Sequence, residues 1–555
     1  MINELPIEEK KELEKLVRAN DYIGIEEFIN TLNKEVKEKP FFLNLLGVCK
    51  ISKKVSNFEI AKEEAKKSRA LFKKAYEKDK NFIDALYNLA EISLKTVEFD
   101  DVLIFLQKHL EKVGYDFKTV FFLARIYFHL GETEKTINYY DKIIEKKDAT
   151  KFIFVNQPYI YNYSSKYSQK KYSDYCKKYV NSIKKIDESK LLKLEKEKEQ
   201  KKIKIGFFST NFRDHAVMKF FMPTIKFLNK NFDTFAFNFT NPRFQDDVTK
   251  ELKQNFSSWN DIHDLDDIAA VNLIRKNKIN ILFDLVGYSG GGRLELFKYR
   301  SAPTQISWIG YTNSTGITEM DYIIADPNVL NSDEHYTEKI LRLPNIWSCH
   351  SPLKEQIKVN ELPFKKNGFI TFGSFNSFAK ISDDTIALWS QILKKIEAKL
   401  LLKSSSSVHE SAKRTLLKKF ENYGVDLKKI EFLKRSETYE KHLQCYNKID
   451  IALDTIPYNG ATTSFESIWM GVPVLTTIGN SFTSRYGYSI NKNLNLNDFI
   501  AKNNEDLLNK ALNITSKIDE LSKLRNNLRS IALKSPLFDT VKFNNDFSNL
   551  IRQIT

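Results

Sequence analysis

One stretch of the sequence, Asp450–Val474, has the residue types of an anion-binding loop at the start of a helix. An apolar run that ends at Pro457 predicts a buried strand, and the pair Asn459-Gly460 predicts a turn. The pair Thr462-Thr463 then begins a predicted helix, which ends at Gly471. Free amide N–H groups at such a helix start, together with the threonine hydroxyls, can hold a pyrophosphate through hydrogen bonds and the helix dipole.

The same residues also fit a purely structural role. Thr463-Ser-Phe-Glu466 has the spacing of a capping box, in which the carboxylate of Glu466 would only satisfy the helix terminus. The residue types alone do not choose between phosphate binding and capping, so both interpretations stay open at this point.

The elements that must position this stretch begin at Lys202, where short apolar runs start to alternate with helical stretches. This alternation indicates parallel α/β sheets. Ten runs are predicted as strands: Ile203–Phe208, Thr234–Phe239, Ile279–Leu285, Gln305–Ile309, Tyr322–Ala325, Phe369–Phe372, Lys399–Leu402, Ile430–Leu433, Ile449–Leu453 and Val472–Thr476. So many strands exceed one doubly wound sheet, and a break at Glu361–Gly368 predicts two Rossmann-like domains in tandem. Ligands of such sheets bind beyond the carboxyl ends of the strands, so the expected site is the cleft between the two domains.

The residues before about position 150 follow a different pattern. Asn88-Leu-Ala-Glu-Ile92 and Phe122-Leu-Ala-Arg-Ile126 align at the period of the tetratricopeptide repeat. Each copy places a small alanine where two helices approach closely, and a second amphipathic helix follows, Val102–Val113 or Thr133–Glu145. A looser copy begins at Leu46-Gly47. A plain helical bundle is the alternative to a repeat array.

Four motifs, in this order, resemble the catalytic region of the O-GlcNAc transferase and SPINDLY family. They are Ile203–Val217, Ala302–Gly316, Phe372–Ile381 and Asp450–Val474. The resemblance runs from about Ile203 to about Leu537, and helical repeats in front of it are also typical of the family. It implies the GT-B architecture, in which two Rossmann-like lobes enclose a nucleotide-sugar donor.

We therefore predict an α plus α/β multidomain chain in four parts. A helical domain of tetratricopeptide-like repeats covers residues 1–150, and a helical connector covers 151–202. The N-terminal Rossmann-like lobe covers 203–365, and the C-terminal, nucleotide-sugar-binding lobe with the terminal helices covers 366–555.

The resemblance also implies roles for residues of the donor site. Lys380 is similar to a family lysine that contacts the donor diphosphate, where a fixed cation would neutralise charge on the leaving nucleotide. His442 matches a histidine that packs against the base, and Glu466 an acidic residue on the ribose hydroxyls. The other donor-binding residues that it implies are Asn459, Gly460, Thr462 and Thr463.

Two further residues are candidates for the reaction itself. His215 matches a histidine proposed near the acceptor, where an imidazole can accept a hydroxyl proton. Asp284 ends a buried strand beside the expected cleft. Each has a structural alternative: His215 caps or packs at the start of helix Ala216–Asn229, Asp284 binds backbone amides, and Lys380 is one of many solvated lysines.

The reaction implied by the resemblance is an inverting glycosyl transfer to Ser or Thr hydroxyls of a protein, with UDP-GlcNAc as first donor and no metal or other cofactor. The repeats would form a concave surface that feeds an extended acceptor peptide into the interlobe cleft. Asn459-Gly-Ala-Thr-Thr463 departs from the Asn-Gly-His-Thr-Thr of animal O-GlcNAc transferases. GDP-fucose therefore stays open as the donor, asparagine glucosylation is a weaker alternative, and a non-catalytic repeat scaffold is the rival from another class.

Composition excludes several other classes. The net charge of +16 reflects a Lys-rich surface, as in Lys190–Lys202 where Glu and Lys alternate, so nucleic-acid or lipid binding is the weaker reading. Four scattered cysteines form neither a disulfide framework nor a metal site. Neither a signal peptide nor a membrane span is evident, which predicts a cytoplasmic protein.

Two shorter motifs do not indicate a ligand site. Gly287–Arg293 lacks the spacing of a nicotinamide-binding loop. Asp264-Leu-Asp266 has the spacing of the metal-binding DxD motif of the other large glycosyltransferase fold, but it lies where a helix begins and is predicted to cap that helix.

Overall fold

The structure is a computed structural model that describes residues 5–52, 58–195, 202–353 and 357–555. The chain divides into two units, residues 1–148 with 406–418, and residues 149–405 with 419–555. The part of the first unit that precedes residue 149 is helical, and the second unit contains both sheets.

Helices of the first unit pack in antiparallel pairs. They are α1 (Ile7–Arg18), α2 (Tyr22–Thr31), α3 (Lys34–Lys37), α4 (Pro40–Ser52), α5 (Phe58–Lys78), α6 (Ile83–Thr96), α7 (Asp100–Val113), α8 (Phe117–His129) and α9 (Thr133–Glu145). The repeated alanines, Ala90 in α6 and Ala124 in α8, are fully buried. The predicted helical repeats are therefore confirmed as the pairs α6–α7 and α8–α9.

The looser copy at Gly47 is a longer helical pair, α4 with α5. A Cβ atom on Gly47 would lie 2.5 Å from the ring of Phe72 in α5, so only glycine allows this close approach. The hydroxyl of Ser68 donates to the carbonyl of Gly47 at 2.8 Å across the same contact. Helix α5 is 21 residues long, which explains the irregular spacing to the next copy.

The second unit contains two parallel sheets. The first sheet has the order β3-β2-β1-β4-β5-β6-β7, and the second has the order β10-β9-β8-β11-β12-β13. The strands are β1 (Lys204–Ser209), β2 (Asp233–Asn238), β3 (Ser258–Asp261), β4 (Ile281–Asp284), β5 (Thr304–Ser307), β6 (Tyr322–Ala325), β7 (Lys339–Arg342), β8 (Ile370–Ser374), β9 (Ala398–Lys403), β10 (Ile430–Leu433), β11 (Ile451–Leu453), β12 (Val474–Thr477) and β13 (Ile500–Ala501).

The helices after residue 148 belong to the second unit, except that residues 410–418 lie in the first unit. They are α10 (Lys151–Tyr161), α11 (Gln169–Ser182), α12 (Ala216–Asn231), α13 (Asp247–Gln254), α14 (Asp267–Lys276), α15 (Glu295–Lys298), α16 (Phe364–Asn367), α17 (Asp383–Lys395), α18 (Glu410–Asn422), α19 (Tyr439–Gln444), α20 (Thr462–Trp469), α21 (Tyr486–Asn493), α22 (Asn504–Ser516), α23 (Ile518–Leu533) and α24 (Thr540–Gln553). The order of each sheet reverses at its first strand, β1 or β8, as in the Rossmann fold. The GT-B fold class is thus confirmed.

All ten predicted strands are present, and three others were missed. The missed strands β3, β7 and β13 lie at edges of the two sheets. Strand β3 reads Ser-Trp-Asn-Asp, β7 reads Lys-Ile-Leu-Arg and β13 has two residues. Strands β3 and β7 are partly exposed and polar, and the buried β13 has only two residues, so none has the apolar run on which the prediction rested.

Two segments assigned to the C-terminal lobe by the sequence pack elsewhere. In helix α24, the ring of Phe547 lies 4.5 Å from Trp308 and 5.7 Å from Phe283, both residues of the first sheet region. Residues 406–418 belong to the first unit, where Ser411 receives a hydrogen bond from the Phe99 amide at 3.2 Å and donates one to Asp100 at 2.9 Å. Helix α24 packs against the first sheet because Phe547 contacts aromatic rings there. Residues 406–418 belong to the first unit because Ser411 bonds to the polar start of α7.

The connector helices α10 and α11 pack within the second unit. Asn162 donates to the hydroxyl of Tyr311 at 2.9 Å, and that hydroxyl lies 2.7 Å from the hydroxyl of Tyr172. These buried hydrogen bonds link the connector to the loop that follows β5 of the first sheet. Of the Glu/Lys-alternating segment Lys190–Lys202, residues 196–201 lie outside the described residues.

No helix within the described ranges is both long enough and apolar enough to cross a membrane. Disulfide bonds join none of the four cysteines, Cys49, Cys176, Cys349 and Cys445, all of which are described, and the first three are buried.

Candidate functional site

The candidate site lies where the order of the second sheet reverses, between β8 and β11. These strands pair in parallel, so the loops at their carboxyl ends leave the sheet side by side. The loop after β8 leads through a short 3-10 helix, Phe378–Lys380, and the loop after β11 leads to α20. The fold therefore brings the predicted Lys380 next to the predicted Asn459–Thr463 loop.

Lys380 contacts that loop directly. Its Nζ donates a hydrogen bond to the carbonyl of Asn459 at 2.8 Å, and it lies 4.1 Å from the ring centroid of Tyr458. Burial lowers the pKa of Lys380 to about 8, while the nearby carboxylate of Asp454 opposes that shift. Lys380 is therefore a fixed cation at the loop, and the alternative of a freely solvated lysine does not describe it.

Asp454 holds the loop in shape from the end of β11. Its carboxylate accepts hydrogen bonds from the amides of Thr455 at 2.9 Å and Gly460 at 2.8 Å, and from the hydroxyl of Thr476 at 2.8 Å. Burial raises the pKa of Asp454 to about 6 against these hydrogen bonds. Because three donors converge on one carboxylate, the loop that carries Asn459 and Gly460 has a defined conformation.

The loop has no space for a side chain at Gly460. A Cβ atom there would lie 2.4 Å from the hydroxyl of Thr463 and 2.8 Å from the amide oxygen of Asn376. The side chain of Asn459 is also used within the protein, since its amide donates to the carbonyl of Thr455 at 2.9 Å. In this loop it is the backbone of Asn459 that contacts Lys380.

Helix α20 begins without a side-chain cap. Its N-cap residue is Ala461, and no side chain accepts a hydrogen bond at that cap. The amide N–H groups of a first helical turn have no acceptor within the helix, so those of Thr462 and Thr463 point toward the space before it. The hydroxyl of Thr463 donates to the side chain of Asn376 at 2.8 Å, which ties the helix start to the loop after β8. The capping-box interpretation of Thr463–Glu466 is therefore wrong.

Glu466 instead accepts hydrogen bonds from four side chains. One carboxylate oxygen accepts from Lys219 at 3.0 Å and from Tyr439 at 2.9 Å. The other accepts from His442 at 3.0 Å and from Tyr446 at 3.4 Å. Glu466 is 3% exposed, and although burial opposes the shift, His442 and Lys219 lower its pKa to about 2. The carboxylate is therefore ionised at neutral pH.

His442 links Glu466 to a second lysine. Its Nδ1 lies 2.6 Å from Nζ of Lys403, which stands at the end of β9 and is buried. An ammonium group can only donate, so Nδ1 accepts and the proton on Nε2 is the one donated to Glu466. Burial lowers the pKa of Lys403. The two predicted nucleoside residues, His442 and Glu466, thus belong to one hydrogen-bonded chain.

The two candidate reaction residues have the contacts that were expected of their structural alternatives. His215 is the N-cap of α12, and its Nδ1 accepts from the amide of Val217 at 3.3 Å. Burial, together with Arg213, lowers the pKa of His215, which favours the neutral imidazole. Lys219 lies one turn further along α12 and contacts Glu466, so the start of this helix faces the site.

Asp284 is buried at the end of β4. Its carboxylate accepts from the amides of Val286 at 2.9 Å and Gly287 at 3.0 Å, and burial raises its pKa to about 6. Both oxygens therefore serve the backbone turn. The DxD-like motif is also structural, because Asp266 caps α14 by accepting from the amide of Ala269 at 2.8 Å, as predicted.

Sequence reasoning missed seven side chains of the site: Asn376, Lys219, Lys403, Tyr439, Tyr446, Asp454 and Tyr458. A signal existed for two of them, because Asp454 and Lys403 are polar residues at the carboxyl ends of buried strands. No local sequence pattern indicates a role for Lys219, which extends to the site from α12, a helix that follows β1 of the first sheet.

With this geometry established, comparison with known proteins decides the family. Residues 158–352 and 356–547 match the model described as glycosyl transferase family 41, which covers more than half of the chain.

The chain belongs to glycosyl transferase family 41.

Family 41 relatives include plant proteins. The chain is 34% identical over 315 residues to a protein of Solanum lycopersicum named "Probable UDP-N-acetylglucosamine--peptide N-acetylglucosaminyltransferase SPINDLY", covering 56% of this chain and 33% of that one. A protein of Arabidopsis thaliana with the same name is 34% identical over 304 residues, covering 54% of this chain and 33% of the relative. The chain thus spans about a third of the length of these relatives.

A solved structure shares the fold. An O-GlcNAc transferase mutant of Thermobaculum terrenum superposes with a TM-score of 0.78 over 89% of this chain and 94% of that one, at 24% identity. The likeness supports the arrangement of helical repeats followed by two parallel-sheet lobes.

Proposed function

We propose that this family 41 protein transfers N-acetylglucosamine from UDP-GlcNAc to Ser or Thr hydroxyls of protein acceptors, with inversion at the anomeric carbon. The observation that carries the proposal is the convergence of the Lys380 ammonium and the uncapped start of α20 on one loop, 2.8 Å from Lys380 to the carbonyl of Asn459. The names of the plant relatives support the choice of donor and of a peptide acceptor.

The donor diphosphate would bind at the start of α20. The first-turn amides and the hydroxyl of Thr462 would donate hydrogen bonds, and the helix dipole favours a negative charge there. The hydroxyl of Thr463 would donate to the diphosphate in place of its bond to Asn376. As the acceptor hydroxyl oxygen bonds to the anomeric carbon, the bond from that carbon to the diphosphate oxygen breaks, and UDP leaves with the electron pair. Lys380 would neutralise the charge that develops on UDP.

The hydroxyl proton must leave the acceptor during this step. His215 is our proposed base, because its imidazole is favoured in the neutral form and stands at the start of a helix that faces the site. Asp284 is a weaker candidate, since both of its oxygens accept backbone amides. Transfer would then depend on positioning and on stabilisation of the leaving group.

The nucleoside would lie beside the chain Lys403–His442–Glu466. His442 is proposed to pack against the base, and Glu466 to accept from the ribose hydroxyls. Glu466 is ionised and already accepts from four donors, so a ribose hydroxyl would share or replace one of them. Among these donors Lys219 is the one contributed by the first lobe.

We also propose that transfer needs no metal ion, since Lys380 and the helix start already provide positive charge for the diphosphate. Activity should persist in a chelator. The helical repeats of the first unit are proposed to bind the acceptor polypeptide, as repeat arrays commonly bind extended ligands.

Incubation of the protein with UDP-GlcNAc and a peptide library, followed by mass spectrometry, tests the proposal. The expected result is a mass increase of one N-acetylhexosamine on peptides with Ser or Thr. Parallel reactions with GDP-fucose and UDP-glucose address the other donors considered from the sequence. Release of nucleotide from none of the three donors would contradict catalysis and leave a scaffold.

A further inference from the structure

The ammonium of Lys380 rests on an aromatic ring as well as on a carbonyl. Nζ lies 4.1 Å from the ring centroid of Tyr458 and 2.8 Å from the oxygen of Asn459, the next residue. A cation this close to a ring face is attracted by the ring quadrupole, most strongly where water is scarce. Tyr458 therefore contacts the very group assigned to the diphosphate.

Tyr458 is itself supported from two sides. The buried ring of Tyr163, in the loop after α10, lies 4.6 Å from the ring of Tyr458 at an interplanar angle of 36°. The ring of Tyr486, in α21, lies 6.2 Å away at 67°. Tyr163 is tethered in turn by a hydrogen bond of 2.9 Å between its hydroxyl and that of Tyr159 in α10. Tyr486 contacts Thr312 through its hydroxyl.

This arrangement limits where Lys380 can go. A lysine side chain has several rotatable bonds, and the single carbonyl of Asn459 restrains its end weakly. A ring that is packed against two other rings adds a rigid surface beneath the ammonium. The connector thus reaches the centre of the site, although it precedes the first sheet in sequence.

We propose that Tyr458, backed by Tyr163, is a positioning residue that holds the Lys380 ammonium in place for the leaving diphosphate. The proposal rests on the function proposed above. It gives the connector a part in transfer in addition to its packing role, and it makes ring contact, rather than the phenol hydroxyl, the property of Tyr458 that matters for Lys380.

The test compares Tyr458→Leu with Tyr458→Phe. Phe keeps the ring face, so its kcat should stay within about 3-fold of the wild type, whereas loss of the cation–π contact in Tyr458→Leu should lower kcat about 10-fold or more. The KM for the peptide acceptor should not change, because the ring contacts the donor side. Tyr163→Leu should give a smaller loss of kcat, and thermal melting checks that each variant folds.

A double-variant cycle separates positioning from general damage. In a Lys380→Met background, Tyr458→Leu should add almost no further loss, because the group that it positions is absent. An additional 10-fold loss in that background would overturn the proposal. If Tyr458→Leu does not fold, Tyr458→Met, which has no ring and a longer side chain, takes its place.

Failure of this inference and failure of the proposed function give different results. Wild-type kcat in Tyr458→Leu, combined with a strongly reduced kcat in Lys380→Met, overturns the inference alone. Absence of transfer by the wild type overturns the proposed function. Unchanged transfer by Lys380→Met overturns the role proposed for Lys380, and the role of Tyr458 falls in either case.

Discussion

Lys219 and Glu466 join the two lobes of the second unit, with Nζ 3.0 Å from the carboxylate. Lys219 belongs to α12, which follows the first strand of the first sheet, whereas Glu466 belongs to α20 of the second. The same ammonium lies 3.7 Å from the ring centroid of Tyr439, a second donor to Glu466. The carboxylate that we place beside the ribose is therefore held from both lobes.

Lys219→Met should destabilise the second unit. Removal of this donor leaves a buried carboxylate short of one partner, which typically costs about 2 kcal/mol of unfolding free energy. Lys226→Met on the same helix is the matched control, because its pair with Glu251 is exposed and should contribute less than about 1 kcal/mol. Denaturant unfolding measures both, and equal effects of the two substitutions would argue against a buried interlobe pair.

His215→Asn separates capping from proton transfer. Asparagine is a good N-cap residue, so the start of α12 should remain intact and the melting temperature unchanged. An asparagine side chain cannot accept a proton at neutral pH, so the transfer rate should fall about 100-fold or more if His215 is the base. Transfer at the wild-type rate would assign His215 to capping alone, and His215→Ala would then lower stability only.

The pH dependence of kcat/KM should be bell-shaped. Lys380 is charged below its pKa of about 8 and loses its charge as the pH rises through that value, so activity should decline on the alkaline side. Asp454 gains a proton as the pH falls through about 6 and then holds the loop less well, so activity should decline on the acid side. In Lys380→Arg the alkaline decline should vanish, because a guanidinium stays charged.

Constant kcat/KM of the wild type across this range would contradict both assignments. A persistent alkaline decline in Lys380→Arg would assign that limb to another group.

Thr463→Val tests the hydroxyl at the helix start. Valine has nearly the same shape but has no hydroxyl proton to donate, either to Asn376, a contact of 2.8 Å, or in its place to a phosphate. Loss of these hydrogen bonds should weaken donor binding about 5- to 10-fold, by about 1 kcal/mol, whereas Thr463→Ser should bind as the wild type does. Calorimetric titration with UDP measures both, and equal affinity of the two variants would show that the hydroxyl is not used.

Buried strands and repeated helices could be predicted because each leaves a local pattern. The run Lys204–Ser209 is almost entirely buried, and Ala90 and Ala124 mark a helix contact at a fixed period. Other features depend on contacts between segments that are distant in the sequence. These features are the edge strands β3 and β7 and the packing of α24 against the first sheet. That information is not local, so the sequence did not reveal it.

Some residues of the candidate site could be predicted from the sequence, whereas the contacts between distant segments could not. Lys380, Asn459 and Thr463 follow the carboxyl ends of neighbouring strands, and a resemblance to a known family pointed to them. The partners of Glu466 could not be foreseen, because Lys219 approaches from a different lobe and Tyr439 from a short helix. From the sequence, we expected Glu466 either to cap a helix or to bind the ribose. The structure shows that its carboxylate accepts hydrogen bonds from four side chains, which come from both lobes.

The central claim, that a nucleotide diphosphate is held between the start of α20 and Lys380, is tested most directly by calorimetric titration of UDP. The wild type should bind UDP, and Lys380→Met should bind it at least 10-fold more weakly. Lys365→Met, which removes an exposed lysine of helix α16, should bind like the wild type. Equal affinity of Lys380→Met and the wild type, or binding of neither UDP nor GDP by any of them, would contradict the account.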